Sequence, residues 1–259
     1  MSDAPRDGVD FAALYDAHPD YVARRDATSY ERQLVDLEVQ HFKLPHLVAL
    51  LRGQPLASVV EVGCATGELI AAFPLADPCG RRLGLDISPR NIAAARARFD
   101  HVEFQAGDFR QLTLPRFDAV LLSDVLEHVS DDAAFLADAA KLAPRVLVNL
   151  PLEDNWLNRD RAYGPADVSG HLRRYTLAQG LDLVARAGLQ PTDWSRVWIH
   201  ETPAESLRRA LRARHFGHAY AGGPVGRRVR QAVFALATAV RPVGRALFAS
   251  NLFVLAQRP

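Results

Sequence analysis

The chain has 259 residues, 49% hydrophobic and 24% charged, with a formal net charge of +1. These proportions belong to an ordinary globular protein with a sizeable core and exclude the composition of a disordered chain, and the near-neutral balance gives no global reason to expect nucleic acid. Two cysteines, Cys64 and Cys79, make neither a disulfide framework nor a zinc-binding spacing, so a reducing cytoplasm is the expected compartment.

The first residues, MSDAPRDGVDF, lack the basic and apolar regions of a secretory signal. Tyr15, His18, Tyr21, Arg24 and Arg25 precede the first long helix. That helix is expected from about residue 30 to 51, capped by Ser29 or Thr28, with Leu34, Leu37, Val39, Phe42 and Leu47 as its apolar stripe and a kink at Pro45.

Short β-rich runs then alternate with helical composition. SVVEV (58–62) precedes GELIAAF, RLGLDI (82–87) precedes PRNIAAARARF, and HVEFQA (101–106) precedes a loop. FDAVLLSD (117–124) precedes DDAAFLADAAKL, and RVLVNLP (145–151) precedes a polar, aromatic stretch over 152–175. Near-continuous apolar strands between helices indicate a parallel sheet covered on both faces, a doubly wound α/β domain. A helix over 176–188 stopping at Gly188 and a strand over 189–200 follow, and NLFVLAQR closes the chain as one more strand. Residues 201–248 then form an insertion carried by two helical segments, whose longest apolar run, AVFALATAV (232–240), is too short to span a bilayer of roughly 20 helical residues.

The turn after the first strand carries Glu61, Gly63, Cys64, Ala65 and Gly67. In an open α/β sheet ligands bind beyond the carboxyl ends of the strands, and glycines there permit a tight turn and close approach of a ligand. The spacing fails the G-x-G-x-x-G pattern of a dinucleotide site. An acid at 61 would repel a pyrophosphate and would accept from an ammonium, which points to a zwitterion joined to a nucleoside. Asp86 at the end of the second strand is placed to accept the two ribose hydroxyls. Asp108 after the third strand is placed to accept from an adenine amino group, with Phe109 near the ring. Singly, an Asp after a strand reads as a helix cap or turn residue; the set in strand order carries the argument.

VVEVGCATGELI, LGLDISPRNIAAAR, VEFQAGDF and FDAVLLSDVLEHVSD together resemble the successive motifs of class I S-adenosylmethionine-dependent methyltransferases, especially the small-molecule group that includes the ubiquinone-type O-methyltransferases. The resemblance covers about residues 55–200. It implies S-adenosylmethionine as cofactor, with Glu61, Gly63, Cys64 and Gly67 at the methionine end, Asp86 and Ile87 at the ribose, Asp108 and Phe109 at the adenine, and Ser123 bordering the cofactor. Ala65 stands where many members have glycine, a methyl group that is tolerable if the residue keeps negative φ. The implied fold is a Rossmann-like seven-stranded sheet with an antiparallel last strand. Around it the chain divides into an N-terminal helical cap over 1–54, a cofactor-binding domain over 55–200 plus 249–259, and a basic helical insertion over 201–248. The cap would fold over the cofactor as a lid; a solvated tail is the competing view.

Methyl transfer to oxygen needs near-attack geometry and usually a base. Glu127 and His128 are the first pair for that role, unless one of them only caps or orients the next helix; His171, in a segment resembling the family's active-site cover, is the other candidate, unless it belongs to a solvated loop ahead of a Thr176 cap. No metal is expected, although Asp124, Glu153 and Asp154 are near enough in topology to be considered as ligands. Cys64 reads as a small buried residue rather than a nucleophile. The arginines of 201–248 (208, 209, 212, 214, 227, 228, 230, 241 and 245) form a local positive surface for a phosphate-bearing substrate or an anionic membrane. Alternatively they are a solvated face whose apolar side, Val229, Val233, Leu236 and Val240, packs on the domain or on a second copy in a homodimer. No nucleic acid partner is expected. The reading is a methyltransferase acting on a small molecule or saccharide, with a nicotinamide oxidoreductase and an inactive cofactor-binding scaffold as alternatives.

Overall fold

A computed structural model of the protein describes residues 11–17, 19–26, 28–154, 163–164, 170–217, 223–248 and 250–259. Five runs become parallel strands: β1 (Ser58–Val62), β2 (Arg81–Asp86), β3 (Glu103–Ala106), β4 (Ala119–Ser123) and β5 (Arg145–Pro151). With β6 (Gln190–Val197) and β7 (Asn251–Gln257) they make a seven-stranded sheet in the order β3-β2-β1-β4-β5-β7-β6. β7 runs antiparallel to both neighbours, inserting between β5 and β6. The order reverses direction between β1 and β4, which places the ligand crevice beyond the carboxyl ends of those two strands.

Successive strand residues face opposite sides, so each strand feeds two cores. Val60, Leu83, Val120, Leu122 and Val148 pack under α7 (Asp132–Ala139) and α8 (Leu177–Arg186) through Leu136, Leu183 and Val184. Val59, Leu121, Leu147 and Phe253 pack on the other face against Leu34 of α3 (Tyr30–Glu38), Leu47 of α4 (Leu44–Leu50), Ile70 of α5 (Glu68–Ala72) and Ile92 of α6 (Pro89–Arg98). Two short helices, α1 (Phe11–Ala17) and α2 (Pro19–Arg25), precede them.

The expected kink at Pro45 takes the form of a π-helical turn, Val39–Lys43, between α3 and α4. Proline cannot donate to the carbonyl four residues back. That carbonyl, of His41, instead accepts a 2.9 Å hydrogen bond from Thr202 Oγ1, which ties the helix to the segment after β6. Ser29 is the cap of α3, its side chain accepting from Arg32 N.

Among its described residues the insertion holds three helices rather than two: α9 (Glu205–Gly217), α10 (Gly223–Ala239) and α11 (Arg241–Phe248). Pro242 sits in the first turn of α11, where its missing N–H ends the preceding helix. Trp198, Phe234, Ala237 and Phe248 form a small third core, joined by Val233. Because α10 turns Phe234 and Ala237 inward, Val229, Leu236 and Val240 face solvent instead of packing on the domain. Arg245 pairs with Glu201 at 2.7 Å and Arg208 pairs with Glu205, whereas Arg209 and Arg228 are exposed. The side chains of Arg212, Arg214, Arg227, Arg230 and Arg241 lie outside the described ones, as does His18. No helix among the described residues is long and apolar enough to cross a membrane.

Candidate cofactor and acceptor site

The turn after β1 is held to β2 by Gly63 N and Cys64 N, which both donate to the Leu85 carbonyl, at 2.7 and 2.9 Å. Gly63 and Gly67 have φ of +79 and +85, and a Cβ on either would collide with Val125 or Phe104, at 2.4 and 2.7 Å. Internal packing therefore demands these glycines before any ligand arrives. Ala65 does not keep negative φ: it adopts +46, a left-handed conformation that an L-residue holds only at a cost. Its amide is fixed there by donating to Asp86 Oδ2 at 2.8 Å. The Cys64 side chain turns into the core, where burial pushes its thiol well up and suppresses thiolate chemistry.

Glu61 is buried, and its Oε2 has no hydrogen-bond partner. Burial outweighs the nearby Lys43 ammonium and pushes this carboxyl up to about 8. Arg24 is the complement: half-buried, with its buried Nε lacking a hydrogen-bond partner, it lies in the field of Glu68, which also acts on Glu61. An orphaned carboxylate and an orphaned guanidinium N–H are what the ammonium and carboxylate of an amino-acid ligand would satisfy.

Asp86 already accepts from Ala65 N and Ser88 N at 2.8 Å each and from Asn91 Nδ2 at 3.4 Å. A carboxylate has about four acceptor positions, so one remains, enough for one ribose hydroxyl rather than two. Ile87 beside it is an exposed apolar side chain, and open space lies above the backbone of Gly107. Those features suit the flat face of a nucleobase. Asp108 caps the short turn Phe109–Gln111 and is held by the Arg110 guanidinium, which overcomes burial and keeps the carboxyl below its ordinary range. Phe109 is buried against Phe135, rings 5.2 Å apart, so it offers the nucleobase pocket its backbone and not its ring. These residues could hold S-adenosylmethionine, which would place its amino-acid end at Glu61 and Arg24, its ribose at Asp86 and its adenine along Ile87 and Gly107–Asp108.

Beyond β4, Ser123 donates to Asp124 and accepts from Asn149 of β5. Asp124 has a left-handed φ of +54 and pairs with Lys43 of the π turn at 2.7 Å. Burial opposes its ionisation, yet Lys43 holds it below the usual carboxylate range. Next come Glu127 and His128 in the short turn Leu126–His128. Glu127 is 0% exposed, neither of its oxygens has a hydrogen-bond partner, and burial together with the Asp124 charge pushes its pKa well up. His128 Nε2 lies 3.7 Å from Glu127 Oε1, while its Nδ1 donates to the Gly170 carbonyl at 3.1 Å. His171 joins them, its ring 4.6 Å from that of His128 and its Nδ1 2.6 Å from Glu153 Oε2. All three predicted acceptor-side residues thus converge. Asp154 does not join: it pairs with Arg174 at 3.3 Å.

The N-terminal helices close over both halves. Tyr15 packs edge-on to His128 and Tyr21 at 5.8 and 5.1 Å, and Tyr21, pushed up to about 12 mainly by burial, feels the charges of Asp86, Glu127 and Asp124. Asp16 anchors the cap by accepting from Ser88 at the start of α6 and pairing with Arg90 at 3.6 Å. Lys43 and Asn149 were not marked by any motif, and Glu153 was considered only as a metal ligand; Lys43 sits in an ordinary amphipathic helix, and only folding carries it to Asp124.

A mostly parallel α/β sheet with an antiparallel seventh strand, and a candidate site for a zwitterionic nucleoside at its switch point, are the features of a methyltransferase-type protein, and comparisons agree. A methyltransferase-domain family model matches residues 59–144. A probable S-adenosylmethionine-dependent methyltransferase of Mycolicibacterium smegmatis is 31% identical over 165 residues, 61% of this chain and 60% of that protein. A ubiquinone biosynthesis O-methyltransferase of Cereibacter sphaeroides is 28% identical over 211 residues, 71% of this chain and 76% of that protein. The solved magnesium protoporphyrin IX methyltransferase from Synechocystis PCC 6803 with bound S-adenosylmethionine shares the fold, with a TM-score of 0.55 over 100% of both chains at 18% identity. Residues 59–144 thus match a methyltransferase domain, and the chain is similar to S-adenosylmethionine-dependent methyltransferases over a longer stretch.

Proposed function

We propose that this chain transfers a methyl group from S-adenosylmethionine to an oxygen of a small-molecule or saccharide acceptor, at a site facing Glu127, His128 and His171. The observation that supports this reading is the convergence of those three side chains, within 4.8 Å of one another, under the same tyrosine lid that reaches Asp86. Bound S-adenosylmethionine supplies an activated methyl group for in-line displacement. Asp86 and Glu61 orient the donor, Tyr15 and Tyr21 exclude water from it, and His128 or His171 takes the proton from the acceptor hydroxyl. The Nδ1 atoms of both histidines are held by acceptors, so Nε2 is the nitrogen of the neutral ring that receives that proton.

Calorimetry on the purified chain tests the donor side: adenosylhomocysteine should bind and NADH should not, and Asp86→Ala should weaken adenosylhomocysteine at least ten-fold. NADH binding would instead favour the oxidoreductase. With an acceptor found by panel screening, His128→Ala should lower turnover far more than cofactor affinity; near-normal turnover would move the proton transfer to His171, Glu127 or solvent. Tight cofactor binding with no methylation of any acceptor would favour the inactive scaffold. The exposed Val229, Leu236 and Val240 beside Arg228 support a second contact, of the insertion with an anionic membrane surface; pairing of that face with a second copy is the competing occupant.

A further inference from the structure

We infer that Asn91 is a ligand of the cofactor's ribose, taking one of its two hydroxyls while Asp86 takes the other. This rests on the reading of the crevice as an S-adenosylmethionine site and adds a residue beyond the acid at the end of β2. The need for it arises at Asp86. That carboxylate already accepts from Ala65 N, Ser88 N and Asn91 Nδ2, which leaves one acceptor position of about four. A ribose presents two neighbouring hydroxyls, so a second acceptor must stand beside the first.

Asn91 meets that requirement. It is 1% exposed, and its Oδ1 is buried with no hydrogen-bond partner. Its Nδ2 lies 3.4 Å from Asp86 Oδ1. Because a carboxylate accepts and does not donate, it fixes the amide with Nδ2 toward Asp86 and Oδ1 as the atom left over. A buried acceptor without a donor is costly, and a sugar O–H removes that cost.

The backbone holds this group in place. Asn91 stands in the first turn of α6, its N–H donating to the Ser88 side chain at 3.1 Å, while Ser88 N donates to Asp86 Oδ1 at 2.8 Å. Acid, helix cap and amide are therefore one preorganised unit, which spares the entropy of ordering them around a ligand. The same unit underlies the N-terminal helices. Helices α1 and α2 pack on α6, Ser88 Oγ donates to Asp16 of α1, and Tyr15 and Tyr21 lie in the field of Asp86. Two acceptors, one for each hydroxyl, make the site selective for a ribose over either deoxyribose, because a missing hydroxyl leaves a buried acceptor unpaired.

Calorimetry on the full chain tests the assignment, with adenosylhomocysteine and its 2′-deoxy and 3′-deoxy analogues as probes of the wild type and Asn91→Leu. Thermal melts of both unligated proteins accompany the titrations. The wild type should bind each deoxy analogue roughly three- to ten-fold more weakly than adenosylhomocysteine. Asn91→Leu should weaken adenosylhomocysteine by a similar factor, yet bind one of the two analogues no more weakly than adenosylhomocysteine, because that hydroxyl has lost its acceptor. Its unligated melting midpoint should stay equal or rise, since the substitution removes a buried unpaired acceptor. A merely structural role gives the opposite pattern, a lower midpoint with an equal loss for all three ligands. That pattern, equal binding of all three probes by the wild type, or unchanged adenosylhomocysteine affinity in Asn91→Leu would overturn the inference and leave the cofactor reading intact. No binding of adenosylhomocysteine to the wild type would overturn the cofactor reading and the inference with it.

Discussion

Glu61 shows how one buried acid couples folding, pH and ligand. Its carboxyl, near 4.5 when solvated, is pushed up to about 8 by burial. The folded chain therefore holds this proton more tightly than the unfolded chain, and stability falls as pH rises from about 4.5 to 8, then levels off. In the same interval adenosylhomocysteine should bind more tightly with rising pH, by at most about ten-fold per unit, because its ammonium requires the ionised carboxylate. Asp86, also raised by burial, acts with the same sign, so the diagnostic quantity is the difference between wild type and Glu61→Gln. Thermal melts across pH 5–9 should show a steeper decline in the wild type; parallel profiles would refute the assignment. At the neighbouring turn, Ala65→Gly relieves a left-handed backbone worth roughly 1–2 kcal/mol and gives back about 0.5–1 in chain entropy. The net expectation is a gain of about 0.5–1 kcal/mol, a rise of roughly 1–4 °C in the melting midpoint; an unchanged or lowered midpoint would mean that the turn needs the methyl group.

At the scale of elements, strand runs were legible because burial on both faces leaves an almost unbroken apolar signature: SVVEV and RVLVNLP coincide with β1 and β5. Breaks inside helices were less so. Pro45 signals a disturbance, but whether it becomes a bend or a π turn depends on what accepts the orphaned His41 carbonyl, and that donor, Thr202, lies 161 residues away. The insertion divides at Pro242 for the same local reason, while its orientation depends on Gly244. A Cβ there would lie 2.5 Å from the Trp198 ring and 2.8 Å from the Ala237 carbonyl. Gly244→Ala should therefore cost about 1–3 kcal/mol, with faster amide hydrogen exchange confined to α10 and α11. Protection lost equally across β1–β5 would show that the small third core is not a separate cooperative unit.

Over the whole molecule, the N-terminal helices make one site out of two. Lys43 and the tyrosines reach across the strand ends, so that charges at Asp86 and Asp124 act on the same Tyr21 ring. On and just after α10, Val229, Leu236 and Val240 remain exposed, with the exposed Arg228 next to Val229 in the chain. If they meet an anionic bilayer, sedimentation with phosphatidylserine vesicles should fall steeply between 50 and about 300 mM salt, over which the Debye length drops to well under 10 Å. It should also be lost in a Leu236→Glu, Val240→Glu variant. Equal sedimentation of both proteins, or concentration-dependent dimerisation without lipid, would exclude that surface role.

The sequence by itself determined the sheet and the chemical type of the cofactor, and pointed to the turn after the first strand as the place to look for it, because apolar periodicity, the glycine turn and an acid at successive strand ends are local patterns that any folded version must keep. Only tertiary structure decided that Glu61 and Arg24 are left as orphaned partners for a zwitterion, that Phe109 turns inward, that Ala65 is left-handed, and that Glu127 and His128 meet His171 from 43 residues further along the chain. Those outcomes depend on burial, on which groups remain unpaired, and on contacts between segments distant in sequence, none of which spacing along the chain encodes.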